Sequence, residues 1–113
     1  MTDCIFCRIA AGEIPADVAG QTEEFIAFKD INPVAAVHLL VIPRRHVTSF
    51  DGIERLGVGT SGRLLAFVAA MAREAGVAES GYRVVTNVGA VGGQEVPHLH
   101  WHILGGERLG GMV

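Results

Sequence analysis

Apolar residues along the chain occur in short runs that are separated by glycine, proline and polar turn residues. Five of these runs have the length and composition of strands, and turn residues bound each of them. They lie at residues 17–19, 25–28, 38–43, 82–88 and 96–104. The first run is short, and the run at 38–43 is strongly apolar.

Two further segments have the capping residues of helices, and the longer one also has helical periodicity. The first spans residues 4–11, where Asp3 can cap the start and Gly12 marks the end. The second runs from a cap at Ser61 to about Ala75. Four of its apolar residues repeat at i, i+4, i+7 and i+11 and predict a buried stripe: Leu64, Val68, Met71 and Ala75.

The order of these elements predicts the fold class. Adjacent strands precede the long helix, and two more strands follow it without a helix between them. A parallel sheet built from β-α-β units would need a helix between most of its strands. We therefore predict an α+β domain with a mainly antiparallel sheet and its helices on one side.

Length and composition limit the classes of protein that remain. A chain of 113 residues fits a single domain over residues 1–113, and its 50% hydrophobic content argues against disorder. The formal net charge of -3 disfavours a nucleic-acid partner, because such binding needs a basic surface. No apolar stretch approaches the ~18 residues of a membrane helix, and no signal-peptide pattern is visible. We expect a cytoplasmic protein without a membrane partner.

Three of the five histidines alternate with apolar residues in the last predicted strand. Successive side chains of a strand point to opposite faces, so His98, His100 and His102 share one face. Leu99 and Trp101, which lie between them, belong to the opposite, core-facing side. Each of the three imidazoles can change charge near neutral pH, so this face predicts a site of chemistry.

Three interpretations of the histidine face compete. The first is a polar outer face that happens to use histidine. The second is a metal site, but neighbours on one face are ~6.6 Å apart, so one ion could recruit only two of them plus a distant residue. The third is nucleophilic and acid–base catalysis, in which a neutral imidazole attacks phosphorus or a carbonyl carbon. We favour the third, with the central His100 as nucleophile.

The segment at residues 98–104 resembles the signature of the histidine triad (HIT) family, in which three histidines alternate with apolar residues. Similar segments follow the family's order along nearly the whole chain, at residues 5–9, 13–15, 28–33, 38–43 and 92–94. Leu104-Gly105-Gly106 after the histidines is similar to the Hint branch. The resemblance implies a HIT-like fold with five strands and two helices, and a sheet that continues across a homodimer.

The same resemblance implies an activity. Members of the Hint branch hydrolyse purine nucleoside phosphoramidates and related nucleotidyl conjugates at the α-phosphate. By position, His100 would attack the α-phosphorus and form a nucleotidyl-histidine, which water would release as a nucleoside monophosphate. His102 would contact phosphate oxygens, and His98 would help to hold His100 in the right tautomer. His38 matches an additional active-site histidine, and no cofactor is implied for catalysis.

The contacts to the nucleoside carry over from the resemblance by position. Asp30 matches an acidic residue that accepts hydrogen bonds from the ribose hydroxyls. The apolar slot for the base would be formed by Ile31 together with Phe6, Ile9 and Phe28. The last three residues suit a plain hydrophobic core equally well.

The glycine-rich loop at residues 89–94 supplies the predicted phosphate contacts. Asn87, Gly93 and Gln94 match residues that line the phosphate site, where glycine lets the backbone approach phosphate closely. The glycines also suit a hairpin loop that needs positive φ angles. Glu95 stands where a characterised Hint-like pattern has a serine that donates to the leaving group. A carboxylate there repels phosphate, and one interpretation is that Glu95 recognises an amine on the leaving group.

The two cysteines form a single Cys-x-x-Cys at Cys4 and Cys7. Two cysteines are too few for a disulfide framework, and a redox motif would lie beside a β-α-β pattern that is absent here. The pair is either half of a tetrahedral zinc site or an inert buried pair. Some bacterial members of the family bind a structural zinc through such a pair and two histidines, which the resemblance assigns to His46 and His98.

Two other functions stay open on the sequence. One is a dinucleoside polyphosphate hydrolase or nucleotidyl transferase of the same family. The other is a nucleotide-binding or zinc-binding module with little catalysis. Metal analysis, AMP titration and a panel of nucleotide conjugates would distinguish such a module from an enzyme.

Overall fold

The computed structural model describes residues 3–112 and contains two α-helices, one 3-10 helix and five strands. Their order along the chain is α1 (Ile5–Ala10), β1 (Val18–Gln21), β2 (Phe25–Lys29), β3 (Val37–Pro43), the 3-10 helix (Phe50–Leu56), α2 (Val58–Glu74), β4 (Tyr82–Val85) and β5 (Trp101–Gly105). Within residues 3–112, no helix has the length and the apolar character that crossing a membrane requires.

The five strands form one sheet in the order β1-β2-β3-β5-β4, and every neighbouring pair is antiparallel. The predicted α+β class and five-stranded antiparallel sheet are therefore confirmed. β3 lies at the centre, and its residues from His38 to Pro43 are all buried. β5, which carries His102, lies directly beside it, with His102 opposite Leu40.

Helices cover both faces of the sheet, so the prediction that they lie on one side was wrong. α2 packs on one face, where Leu64 and Val68 join a core that includes Phe25 of β2 and Leu99. α1 packs on the other face through Phe6, against a smaller cluster that also contains Ile26, Phe28, Leu40 and Ile42. The reason lies in β2, where apolar side chains point to both faces and each face needs a cover.

The starts of both helices differ from the sequence-based prediction. Cys4, rather than Asp3, caps α1, because its Sγ accepts a hydrogen bond from the backbone N–H of Cys7 over 3.4 Å. α2 begins at Val58 after Gly57, whose φ of 82° ends the preceding 3-10 helix. Ser61 lies inside the first turn of α2, where its hydroxyl donates to the Gly57 carbonyl over 2.8 Å.

The last two strands are shorter than predicted, because β4 ends at Val85 and β5 begins at Trp101. Residues 96–100 instead form a loop, in which the His98 N–H donates to the Val96 carbonyl and the Leu99 N–H donates to the Val47 carbonyl. Of the three alternating histidines, only His102 therefore lies in a strand. The loop lets His98 and His100 point to sites that a regular strand would not reach.

Candidate active site and Cys–His cluster

A cleft of about 560 Å³ opens between α1, the centre of the sheet and the glycine-rich loop. Its wall includes three of the five histidines, the Asp30 carboxylate at the end of β2, and the loop after β4. The lining residues are Phe6, Asp30, Asn32, Val34, His38, Leu40, Val85, Asn87, Gly93, Glu95, Val96, His100, His102 and Leu104. This cleft is the candidate active site.

The orientation of the His100 ring leaves one nitrogen available for chemistry. Its Nδ1 lies 2.7 Å from the carbonyl oxygen of His98, and a carbonyl can only accept, so Nδ1 carries the proton. The Nε2 atom of the neutral ring therefore keeps its lone pair. Phe6 packs edge-on against this ring, with centroids 5.1 Å apart, and restricts its rotation. The support from His98 comes from its backbone carbonyl rather than from its imidazole.

A second chain of hydrogen bonds orients His102 through His38. The backbone N–H of Val34 donates to Nδ1 of His38 over 3.2 Å, so the proton of the neutral His38 ring lies on Nε2. That Nε2 lies 2.8 Å from Nδ1 of His102, which accepts. His102 in turn carries its proton on Nε2 and can donate it to a group in the cleft.

Burial keeps both members of this pair uncharged near neutral pH. Desolvation lowers the pKa of His102 to about 4, and the neighbouring His100 and His38 rings act in the same direction. Desolvation also lowers the pKa of His38, while the Asp30 carboxylate opposes that shift. Asp30 approaches His38 with Oδ2 3.4 Å from Nε2, and its Oδ1 accepts from the N–H of Asn32 over 2.8 Å. The imidazoles of His38 and His102 are therefore neutral near pH 7, and their hydrogen bonds fix their orientation.

Behind the cleft, Cys4, Cys7, His46 and His98 bring four ligand atoms together, and we call this group the Cys–His cluster. Nδ1 of His98 lies 3.3 Å from the Cys4 sulfur and 3.4 Å from the Cys7 sulfur. Nδ1 of His46 lies 3.3 Å from the Cys7 sulfur and 3.1 Å from Nδ1 of His98. A tetrahedral zinc ion keeps its sulfur and nitrogen ligands roughly 3.3–3.8 Å apart. The three sulfur–nitrogen distances lie at the short end of this range and the nitrogen–nitrogen distance is slightly below it, so the donor set fits zinc with a small expansion of the cluster.

The protonation of His98 also suits a metal ligand. Its Nε2 lies 2.8 Å from the carbonyl of Pro43 and donates to it, so Nδ1 presents its lone pair to the cluster. The residue is completely buried, and desolvation is the largest cause that lowers its pKa to about 4. The ring of His98 thus belongs to the Cys–His cluster, whereas its backbone carbonyl accepts the hydrogen bond from His100 in the active-site cleft.

Asp30, His38 and His102 form a second group of potential metal ligands, whose ligand atoms lie within 4.8 Å of one another. The hydrogen bond from Val34 makes this group a poor metal site. It occupies the His38 Nδ1 lone pair, so the proton of the neutral ring blocks Nε2 as a ligand. The histidines of the cleft are therefore arranged for hydrogen bonding rather than for metal binding.

The predicted nucleotide-binding residues fall into two groups. Five of them line the cleft, namely Phe6, Asp30, Asn87, Gly93 and Glu95. The other four, Ile9, Phe28, Ile31 and Gln94, are not part of its lining. Phe28 is buried in the small core and Ile9 packs against it, whereas Ile31 is 90% exposed. The Gln94 side chain holds the loop together by donating to the carbonyls of Thr48 and Val96.

Backbone groups contribute contacts that the sequence analysis missed. The N–H of Val34 orients His38, and the Pro43 carbonyl orients His98. The Thr86 hydroxyl donates to the His100 carbonyl over 2.7 Å and links the end of β4 to the loop at residues 96–100. No residue-type signal marks a backbone donor or acceptor, so only the fold could reveal the first two. A threonine directly after a strand could have marked the third.

Three features together define the class of this protein. They are the α+β fold with its antiparallel sheet, the cleft lined by histidines that hydrogen bonds orient, and the Cys–His cluster behind that cleft. Residues 11–109 match the family model of the HIT domain. The chain belongs to the HIT family, as its histidine pattern predicted.

Known relatives of similar length agree with this assignment. The chain is 39% identical to the purine nucleoside phosphoramidase of Escherichia coli K12, over 98% of this chain and 93% of the relative. It is 44% identical to an uncharacterised HIT-like protein of Azospirillum brasilense, over 96% and 90%. Its fold is similar to the crystal structure of a histidine triad protein from Clostridium difficile, with a TM-score of 0.92, 41% identity and coverage of 100% and 98%.

Proposed function

We propose that the protein is a hydrolase that cleaves purine nucleoside phosphoramidates, or related nucleotidyl conjugates, at the α-phosphate through a covalent nucleotidyl-His100. The observation that carries this proposal is the 2.7 Å contact between His100 Nδ1 and the His98 carbonyl, which leaves Nε2 as the ring nitrogen available to attack in the cleft. The phosphoramidase activity named for the Escherichia coli relative supports the substrate class.

The reaction proceeds in two displacements at phosphorus. The lone pair of His100 Nε2 forms a P–N bond to the α-phosphorus, and the bond to the leaving nitrogen breaks. That nitrogen takes a proton from solvent and departs as an amine. A water molecule then attacks the same phosphorus and gives up a proton, and the bond to His100 breaks. The products are a nucleoside monophosphate and an amine, and the ring returns to its starting tautomer.

The remaining cleft residues would position and stabilise the substrate. The Nε2–H of His102 would donate to a phosphate oxygen, and a donor that is already oriented needs no reorganisation as charge develops there. Asp30 would accept hydrogen bonds from the ribose hydroxyls, and the base would pack beside Phe6. Asn87 and Gly93, at the rim of the cleft, would contact the phosphate. Ile31 lies exposed near Asp30 and would cover the base from outside.

We also propose that Cys4, Cys7, His46 and His98 hold a structural zinc ion. When bound, the ion supplies a rigid cross-link between α1 and the loop that carries His98, and it takes no part in the displacement. Thiolate ligands persist in a reducing compartment, so a cytoplasmic location fits this assignment.

A homodimer is the assembly that the sheet suggests. β4 is an edge strand that pairs only with β5 on the part of the chain described, and its Tyr82 and Val84 side chains are 38% and 39% exposed. An exposed apolar edge strand is a template for pairing with another chain. We propose that two copies of the chain associate along this edge.

The alternative within the family, a dinucleoside polyphosphate hydrolase or nucleotidyl transferase, is the weaker proposal. Its leaving group carries several negative charges, and two carboxylates, Asp30 and Glu95, line the cleft. A polyanion would meet repulsion from both of them.

Trapping the intermediate tests the proposed mechanism most directly. We expect rapid quenching with adenosine phosphoramidate to yield protein heavier by one adenylyl group, with the added mass on the peptide that contains His100. His100→Ala should yield no adduct. Turnover without an adduct at any quench time, or full activity of His100→Ala, would remove the covalent mechanism.

A further inference from the structure

Glu95 lies at the boundary between the active-site cleft and a second cavity. The second cavity has a volume of about 460 Å³ and extends past Pro97 and Thr48 toward Asp3. Glu95 and Val96 line both cavities, so the two cavities adjoin at these residues. The part of a substrate that extends from a phosphate at His100 toward the second cavity would pass beside Glu95.

The Glu95 carboxylate makes no ion pair and no hydrogen bond within residues 3–112. Glu24 and Glu13, by contrast, pair with Arg63 and Arg8 respectively. Glu95 is exposed on the wall of this cleft, and its carboxylate makes the local electrostatic potential more negative. A site that binds phosphate is expected to have a positive potential instead. A cation on the substrate would offset the Glu95 charge, whereas an anion would add to it.

The geometry of the cleft limits where that cation belongs on the substrate. Asp30, beside His38, takes the ribose in the proposed function, and the nucleoside itself carries no positive charge. The part of the substrate beyond the scissile bond is left to extend toward Glu95 and the second cavity. The Asp3 side chain adds another carboxylate to that cavity. A zinc ion bound by two thiolates and two neutral imidazoles would add no net charge to offset them.

We propose that Glu95 is a specificity-determining residue that selects leaving groups carrying a positive charge. The preferred substrates are then phosphoramidates of diamines or of other amines with a distant cationic group, and anionic leaving groups are rejected. This inference rests on the proposed function and names its substrate class.

A matched series of substrates tests the inference. Three adenosine phosphoramidates of equal chain length carry a leaving amine that ends in an ammonium group, a methyl group or a carboxylate. For the wild-type protein we expect kcat/KM to fall in that order, with a cation-to-neutral ratio of up to about fivefold, the upper end for one accessible charge pair. The ratio should shrink at high ionic strength, because salt screens an accessible charge.

Variants at Glu95 assign the preference to this residue. Glu95→Gln should bring the cation-to-neutral ratio close to one, and Glu95→Lys should reverse the order of the series. The matched control is Glu79→Gln, because Glu79 is exposed and lines neither cavity. The control should keep the wild-type ratio.

Two results would overturn the inference in distinguishable ways. If the wild-type protein hydrolyses all three amidates with equal kcat/KM, or if Glu95→Gln keeps the preference, Glu95 does not select the leaving group while the proposed function stands. If no amidate is hydrolysed, the proposed function fails, and the inference fails with it.

Discussion

The carbonyl oxygen of His98 accepts a hydrogen bond from Nδ1 of His100 over 2.7 Å. The ring of the same His98 belongs to the Cys–His cluster, with its Nδ1 directed toward Cys4, Cys7 and His46. One residue therefore joins the cluster to the candidate nucleophile. Its ring and its backbone serve two adjacent sites.

Removing the His100 imidazole should separate catalysis from binding. His100→Ala deletes the proposed nucleophile, so we expect kcat to fall by roughly 10³-fold or more. AMP should still bind within a few-fold of the wild-type affinity, because the proposed contacts of Asp30 and Asn87 remain. Steady-state kinetics and calorimetric titration measure the two effects. Loss of AMP binding in a folded variant would assign His100 to binding instead.

The Cys–His cluster predicts about one zinc ion per chain in purified protein. Cys4→Ser should remove the metal, and it should lower the melting temperature, because the proposed ion would link α1 to the His98 loop. Elemental analysis and thermal unfolding with and without a chelator measure this. Glu54→Gln, on the exposed surface of the 3-10 helix, is the control and should keep both properties. Wild-type protein that is folded but contains no zinc after growth in zinc-rich medium would contradict the assignment.

Acid should destabilise the protein through His102. Its pKa is about 4 in the folded chain, against 6.5 as the ordinary value, so the unfolded chain binds more protons between these values. Stability is therefore fully present above pH 6.5 and declines as the pH falls toward 4. We expect about 2 kcal/mol less stability at pH 5 than at pH 7 from this group alone.

Urea unfolding of the wild type and of His102→Gln measures the contribution of this histidine. The variant cannot take up the proton, so the difference in its free energy of unfolding between pH 7 and pH 5 should be smaller. An identical pH dependence in the two proteins would show that His102 is not held neutral by the fold.

The exposed edge strand β4 predicts a dimer that a single charged substitution in this strand should dissociate. Val84→Asp places a carboxylate on the exposed side of β4, where two copies would bring like charges and desolvated carboxylates together. We expect light scattering to report a dimer for the wild type and a monomer for Val84→Asp. Val58→Asp, at the exposed start of α2, is the matched control. A wild type that stays monomeric at high concentration would exclude this assembly.

Patterns within single elements made most of the fold predictable. β2 and β3 are runs of apolar residues bounded by turns, and the stripe of α2 contains Leu64, Val68 and Met71, all of which are buried. The predicted position of α1 was wrong because amphipathic patterns identify a buried face without saying which face of the sheet it covers. That choice depends on β2 offering apolar side chains on both sides.

Long-range contacts made parts of the site unpredictable. The alternation at residues 98–102 predicts one strand face, whereas in the fold the ring of His98 joins the Cys–His cluster and His100 and His102 line the cleft. In this loop the backbone N–H of Leu99 donates a hydrogen bond to the Val47 carbonyl. No local sequence pattern identifies Val47 as the partner. Ile9 and Phe28 illustrate the same limit, since their apolar character fits a base pocket and a core equally well.

The Cys–His cluster spans almost the whole chain, since Cys4 meets a residue 94 positions further along. α1 has only six residues and is too short to persist without a partner. Its position therefore depends on contacts with β2 and β3 and with the distant His98. The wall that Phe6 adds to the cleft rests on these long-range contacts, so a truncation that removes the His98 loop should weaken the cleft at its opposite wall as well.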